Sequence, residues 1–126
     1  MTSSDTTNDT TTLAVVTAFN DAFNTRNVDA VDRFLAEDCV FEGTTPPDGE
    51  RHAGRAAVRD AFAGVFAGAV DGVFTTEETI VAGERAVVRW RYDWVAHDGR
   101  PGHVRGVDVF TIRDGLVAEK LAYVKG

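Results

Sequence analysis

Hydrophobic positions along this chain follow two different periods. From Leu13, apolar residues recur at three- and four-residue steps through Val16, Phe19, Ala22 and Phe23, predicting an amphipathic helix to about Thr25 with both phenylalanines inward. Asn27 can cap a second, short helix with Val28, Val31, Phe34 and Leu35 on its apolar side, ending by Asp38. Cys39 to Glu42 then reads as a short strand, and Gly43 to Gly49 as a loop because of its Pro and Gly content. Helical spacing returns from Arg55 to about Ala69 through Val58, Phe62, Val65 and Phe66.

Beyond Val73 the period drops to two. Val73 to Ala82, Ala86 to His97, His103 to Arg113 and Leu116 to Lys125 read as four consecutive strands separated by turn residues. Helices and strands are therefore segregated, which predicts an α+β fold with three helices on one face of a strongly curved, mainly antiparallel sheet. Such a sheet closed by helices makes a cone, and its open end is a pocket.

The central hairpin carries the most informative pattern. Its first strand divides into Val87, Arg89, Arg91, Asp93 and Val95 on one face and Val88, Trp90, Tyr92, Trp94 and Ala96 on the other. With a tight turn around Asp98-Gly99-Arg100-Pro101, Arg91 falls opposite Asp108 and Asp93 opposite Gly106. Arg91, Asp93 and Asp108 would then form one charged cluster among Val, Phe and Ile. The competing reading is an ordinary ion pair on a solvated sheet face, with Trp90, Tyr92 and Trp94 as the core.

Composition narrows the function classes. The 126 residues suffice for one core, and the first twelve, polar and low in complexity, read as a flexible tail before a domain spanning 13–126. A formal charge of −7 argues against a nucleic-acid or anionic-membrane surface. No long apolar run or basic-then-apolar leader is present, so a cytoplasmic protein is expected. Cys39 is the single cysteine and sits in an apolar run, so it reads as a buried thiol rather than a nucleophile.

The segments AFNDAFNTRNVDAVDRFLAEDCVFEG, GRAAVRDAF and GVDVFTIRDGLVAEKLAYV, in this order and spacing, resemble the nuclear transport factor 2-like superfamily, in particular its SnoaL-like and ketosteroid-isomerase-like branches. The resemblance implies an apolar cavity between the helices and the concave sheet face, and a homodimer formed through the opposite face. On that basis Arg91, Asp93 and Asp108 would line the cavity as catalytic candidates, with Phe19, Phe23, Phe41, Phe62, Phe66, Phe110 and Tyr123 as ligand-binding candidates. Trp90, Tyr92 and Trp94 would lie outside, against the partner subunit. A hydrophobic, oxygen-bearing small molecule is the implied ligand, with no cofactor and no metal.

The resemblance to ketosteroid isomerases places Asp108 on the position of their protonated aspartate, but Gly43 on that of the base and Phe19 on that of the tyrosine. Limonene epoxide hydrolases share the implied fold, and Arg91-Tyr92-Asp93 matches part of their Asp–Arg–Asp arrangement, whereas Ala122 stands at their other aspartate. What remains is an acid–base enzyme of isomerase, cyclase, dehydratase or epoxide-hydrolase type, or a ligand-binding or assembly domain without catalysis. His52 would sit at the cavity rim, and His97 and His103 beside the hairpin turn. The last turn leaves two registers open, with Leu121 and Tyr123 or Lys120 and Ala122 on the Asp108 face.

Overall fold

Phe19 and Phe23, four residues apart, stack one turn over the next on α1 (Thr2–Asn24), and their rings meet at 5.9 Å between centroids. In the computed structural model, which describes residues 2–68 and 71–125, these rings anchor a core shared with Val31, Val58, Phe62, Phe110 and Ile112. Phe19, Phe62 and Phe110 are fully enclosed. They join α1, α3 (Arg55–Gly68) and the sheet in a single apolar cluster.

The helix α1 begins at Thr2, so the polar stretch expected as a tail instead extends the helix. Its anchor is tertiary: the Gly83 N–H donates to Asp9 Oδ1 at 2.6 Å, and Thr12 Oγ1 donates to the Gly83 carbonyl at 2.6 Å. Thr12 is buried there. No hydrophobic period marks these residues, which is why pattern alone leaves them out.

Asn27 caps α2 (Val28–Asp32) as expected, its Oδ1 accepting from the Asp29 N–H at 2.9 Å. The helix is shorter than its apolar spacing suggests. Leu35 already begins β1 (Leu35–Glu42), because the Phe34 carbonyl accepts from the Val117 N–H at 2.7 Å and Leu35 pairs with Val117. Sheet hydrogen bonds take residues that local pattern assigns to the helix.

Six strands form an open curved sheet in the order β2-β1-β6-β5-β4-β3. The short strand β2 (Arg51–Ala53), absent from the sequence pattern, pairs antiparallel with β1 at the edge. Strand β6 (Leu116–Val124) runs parallel to β1 and antiparallel to β5 (Pro101–Arg113). Strands β3 (Val73–Ala82), β4 (Arg85–Val95) and β5 form the long antiparallel meander that the period-two pattern predicts.

The register of β4 on β5 differs from the expected one. Arg91 pairs with Arg105 rather than Asp108, and Asp93 with His103 rather than Gly106. The hairpin loop spans 96–100, closed by the Ala96 N–H on the Arg100 carbonyl at 2.9 Å and the Gly99 N–H on the Ala96 carbonyl at 2.9 Å. A shift by an odd number of residues exchanges the faces of the partner strand. Asp108 consequently lies opposite Val88, and Trp90 opposite Gly106.

Trp90 and Tyr92 therefore point to the helix-covered concave side, and Arg91 and Asp93 point away from it. Two glycines make room for the indoles. A Cβ on Gly106 would stand 2.6 Å from the Trp90 ring, and one on Gly102 would stand 2.6 Å from the Trp94 ring. Each tryptophan lies across the bare backbone of its cross-strand partner, which covers the sheet where a side chain is missing.

Candidate functional site

Two neighbouring cross-strand rows on the concave face build the site. Phe41 on β1 pairs with Lys120 on β6, and Lys120 pairs with Phe110 on β5. In the next row Ala122 pairs with Asp108, and Asp108 with Val88. A register shift between Thr111 and Ile112 sets Lys120 and Ala122, rather than Leu121 and Tyr123, on the Asp108 face. This resolves the alternative that the last turn leaves open.

The Asp108 carboxylate and the Lys120 ammonium face each other inside the cone, Oδ2 to Nζ 3.6 Å. Asp108 is 6 % exposed and Lys120 7 %. Three phenyl rings surround the ammonium, with centroids 4.9 Å (Phe41), 5.1 Å (Phe23) and 5.7 Å (Phe62) away. Ring faces attract a cation, and this offsets part of the hydration that Lys120 loses. Burial pushes the Asp108 carboxyl above its ordinary range, and the Lys120 charge pulls in the opposite direction.

Two buried polar atoms at this point, Asp108 Oδ1 and Trp90 Nε1, make no hydrogen bond of good geometry within the protein, although the indole N–H lies near enough to Asp108 to help hold its carboxyl down. Leaving a buried donor or acceptor unpaired costs about 1–3 kcal/mol each. Both residues line a cavity of about 460 Å³, with Phe23, Phe41, Phe74, Tyr92 and Val104 among its apolar walls. One acceptor and one donor at the wall of an apolar chamber suit a largely hydrophobic molecule with a single oxygen function.

Toward the β2 edge the same cavity is lined by Glu50 and His52. The His52 ring stacks on Phe41, centroids 5.8 Å apart. Thr45 Oγ1 donates to Glu50 Oε1, and this hydrogen bond is the main cause holding the Glu50 carboxyl below its ordinary range. The loop carrying them is closed by the Gly43 N–H on the Glu50 carbonyl at 2.9 Å and the Gly49 N–H on the Thr45 carbonyl at 2.6 Å.

The sequence-predicted candidates separate in space. Asp108, Phe23 and Phe41 line the cavity. Phe19, Phe62 and Phe110 are sealed in the core beneath it, and Phe66 packs against Phe23 at 4.8 Å between ring centroids. Tyr123, 54 % exposed, lies on the convex side. Arg91 and Asp93 pair with each other there, Nε to Oδ1 3.0 Å, so the expected three-member cluster with Asp108 does not form. Trp90 and Tyr92 are cavity residues rather than an outer patch, which removes the expected aromatic dimer face.

Of the polar site residues, sequence reading passed over Glu50, left Lys120 as one of two alternatives for the Asp108 face, and set Trp90 on the outer face. A lysine within an alternating apolar strand, in a chain with only two lysines, was the available signal for Lys120. Glu50 carries no such signal, since it reads as one more acid in a polar loop. Among the described residues no group of His, Cys, Asp and Glu has the arrangement to hold a metal ion, and no helix is long and apolar enough to cross a membrane.

Three helices packed on an open, curved, mostly antiparallel six-stranded sheet make the cone of the nuclear transport factor 2-like class. Within that class the chain belongs to the SnoaL-like domain family, whose model matches residues 16–120. No curated protein matches it in sequence. A nuclear transport factor 2-like protein of unknown function from Mesorhizobium loti is 41 % identical, with a TM-score of 0.80 over 94 % of this chain and 93 % of that one. A candidate polyketide cyclase from Sinorhizobium meliloti is 28 % identical, with a TM-score of 0.71 over 86 % and 93 %. A second one, from Xanthomonas campestris, shares the fold at 24 % identity, with a TM-score of 0.76 over 94 % and 93 %.

Proposed function

We propose that the protein is a cofactor-independent acid–base enzyme acting on a hydrophobic, oxygen-bearing small molecule. The observation that carries this reading is the buried Asp108–Lys120 pair set in the wall of an apolar cavity, with Asp108 Oδ1 and Trp90 Nε1 making no hydrogen bond of good geometry within the protein. Burial raises the proton affinity of Asp108, so it keeps a proton to higher pH than an exposed carboxyl does and has one to share with a ligand oxygen. Lys120 supplies the positive charge beside that oxygen, the role first expected of Arg91. Negative charge developing on the oxygen is then stabilised in a site poor in water. The candidate cyclase from Sinorhizobium meliloti supports a reaction of this general type.

The test is a thermal-shift panel of planar phenols, terpenoid epoxides and polyketide-like aromatics, followed by turnover of whatever stabilises the fold. A ligand at about 100 times its dissociation constant adds about 2.7 kcal/mol. Asp108→Asn is expected to lower turnover by about a hundredfold or more. Retained turnover in that variant would refute the assignment.

A second reading is a binding domain without catalysis. It is favoured by the fact that Asp108 already has a cationic partner within the fold. Ligand stabilisation without turnover of any bound compound would select it. In either case the convex face, where Ile80 and Tyr123 are exposed, is the proposed seat of a second copy of the chain. Sedimentation of the wild type against Tyr123→Glu tests that placement, with dissociation of a dimer expected.

A further inference from the structure

Strand β3 is the outer strand of the sheet at the end opposite β2, and an outer strand offers a row of backbone groups to any other chain. Two points along this edge are already taken, both by side chains of α1. The Phe74 N–H donates to Asn24 Oδ1 at 3.0 Å, and Asn24 Nδ2 donates to the Phe74 carbonyl at 2.8 Å. A carboxamide carries the donor and acceptor of a peptide group, so Asn24 makes both bonds that a neighbouring strand would make there. At the other end of β3, Asp9 accepts from the Gly83 N–H and Thr12 donates to the Gly83 carbonyl.

The stretch between these clamps is built to pair. VFTTEETIVA is rich in β-branched residues and has no proline, and Val73 and Ile80 stay more than half exposed. The Asn24 bonds fix the Phe74 backbone groups as outward, and alternation adds Thr76. The register with β4 then shifts at Glu77. Counting back from the Gly83-Glu84 turn, Ala82 pairs with Arg85, which leaves Val81 and Thr79 outward. These four residues are self-complementary. When two β3 edges meet antiparallel, Phe74 pairs with Val81 and Thr76 with Thr79, which sets Thr75 beside Ile80 and Glu77 beside Glu78.

We propose that α1 guards this edge, and that the partner it excludes is the β3 strand of a second copy of the chain. Asn24 occupies the Phe74 position of the ladder, where Val81 of another copy would bind. Glu77 and Glu78 form a second barrier, because like charges placed opposite each other repel. Arg105 at 3.3 Å from Glu77 and Arg89 at 2.9 Å from Glu78 hold both carboxylates in place. The polar N-terminal turns of α1 thereby gain a task, since they carry Asp9 and Thr12 to the far clamp. The guard is independent of the chemistry of the cavity.

Asn24→Ala tests it in the full chain. Amide exchange followed by NMR should show the Phe74 N–H losing protection by about tenfold or more, while amides of α3 keep theirs. Sedimentation velocity should show species larger than the wild type, growing with concentration, and Asn24→Ala combined with Glu77→Gln should form more of them. Thr75→Cys and Ile80→Cys, made in separate preparations of Asn24→Ala, report the register. In the expected ladder their Cα atoms lie about 4.5 Å apart, within disulfide reach, so mixing and oxidation should give a crosslinked dimer. If Asn24→Ala does not fold, Asn24→Asp keeps the acceptor for the Phe74 N–H, loses the donor, and should give a smaller gain in assembly. Unchanged protection at Phe74 in Asn24→Ala overturns the clamp. Lost protection without larger species overturns the guard and leaves Asn24 as a brace of the cavity wall. Larger species without the crosslink overturn the pairing of β3 with β3.

Discussion

Replacing Lys120 with Met isolates the electrostatics of the buried pair. Methionine keeps most of the side-chain volume and its contact with the three phenyl rings, but it removes the charge 3.6 Å from Asp108. The carboxyl then has two options. It stays ionised and uncompensated, which for a broken buried pair costs about 3–5 kcal/mol. Otherwise it takes up a proton, and the cost is set by pH. An unfolded aspartate has a pKa of about 3.9, so holding it neutral in the fold at pH 7 costs up to about 4 kcal/mol at 1.36 kcal/mol per unit.

The sign follows from proton counts. Burial already gives folded Asp108 a higher proton affinity than the unfolded chain, and the loss of Lys120 removes the opposing pull. Above the unfolded pKa and below the folded one, the native state binds more protons, so stability is highest on the acid side and falls as pH rises. Lys120→Met should therefore lose up to about 4 kcal/mol at pH 7, less what the raised proton affinity of Asp108 already costs the wild type, and regain stability toward pH 5 at no more than about 1.36 kcal/mol per pH unit. Urea unfolding followed by tryptophan fluorescence at several pH values measures this directly. Asp108→Asn combined with Lys120→Met should abolish the pH dependence and restore much of the stability. A Lys120→Met protein with wild-type stability at both pH values would show that the pair is not buried as described.

Other expectations follow from single contacts. Gly106→Ala should cost about 2–3 kcal/mol, read as a lower urea midpoint, because the new Cβ meets both the Trp90 ring and the Tyr123 carbonyl 2.3 Å away. Ala122→Leu should block ligand stabilisation in a thermal-shift assay while costing little in unfolding free energy, since its side chain points into the cavity floor. Arg55→Ala should lower the urea midpoint slightly near neutral pH. Its guanidinium hydrogen-bonds both Asp32 oxygens at 3.0 Å and is the main cause holding the Asp32 carboxyl below its ordinary range. That stabilisation is present above the unfolded pKa and is lost as pH falls through the folded one, so an acid titration of wild type and variant should converge at low pH.

Much of the fold lay open in the residues. Helical spacing through Phe19, Phe23, Val58 and Phe62 located α1 and α3, Asn27 marked the start of α2, and alternation located β3, β4, β5 and β6. These signals are local, because periodicity records which face of an element is apolar whatever it later packs against. The assignment to an α+β cone followed from their order. Asp108 was singled out through an expected cross-strand cluster with Arg91 and Asp93, which the register does not form, and through the family resemblance, which points to the same residue.

Register and reach were decided only in three dimensions. A five-residue loop in place of a tight turn shifts β5 against β4 by three residues, and this odd shift separates Arg91 and Asp93 from Asp108. A bulge at Ala118 in β6 then brings Lys120 to the inner face, where no reading of alternation alone could fix it. Glu50 enters the site because Gly43 leaves a gap and the loop folds back over it. Sequence determined which residues are chemically unusual. Tertiary structure determined which of them meet, since a strand's faces alternate residue by residue and its partner's offset is set by loops whose length the alternation does not encode.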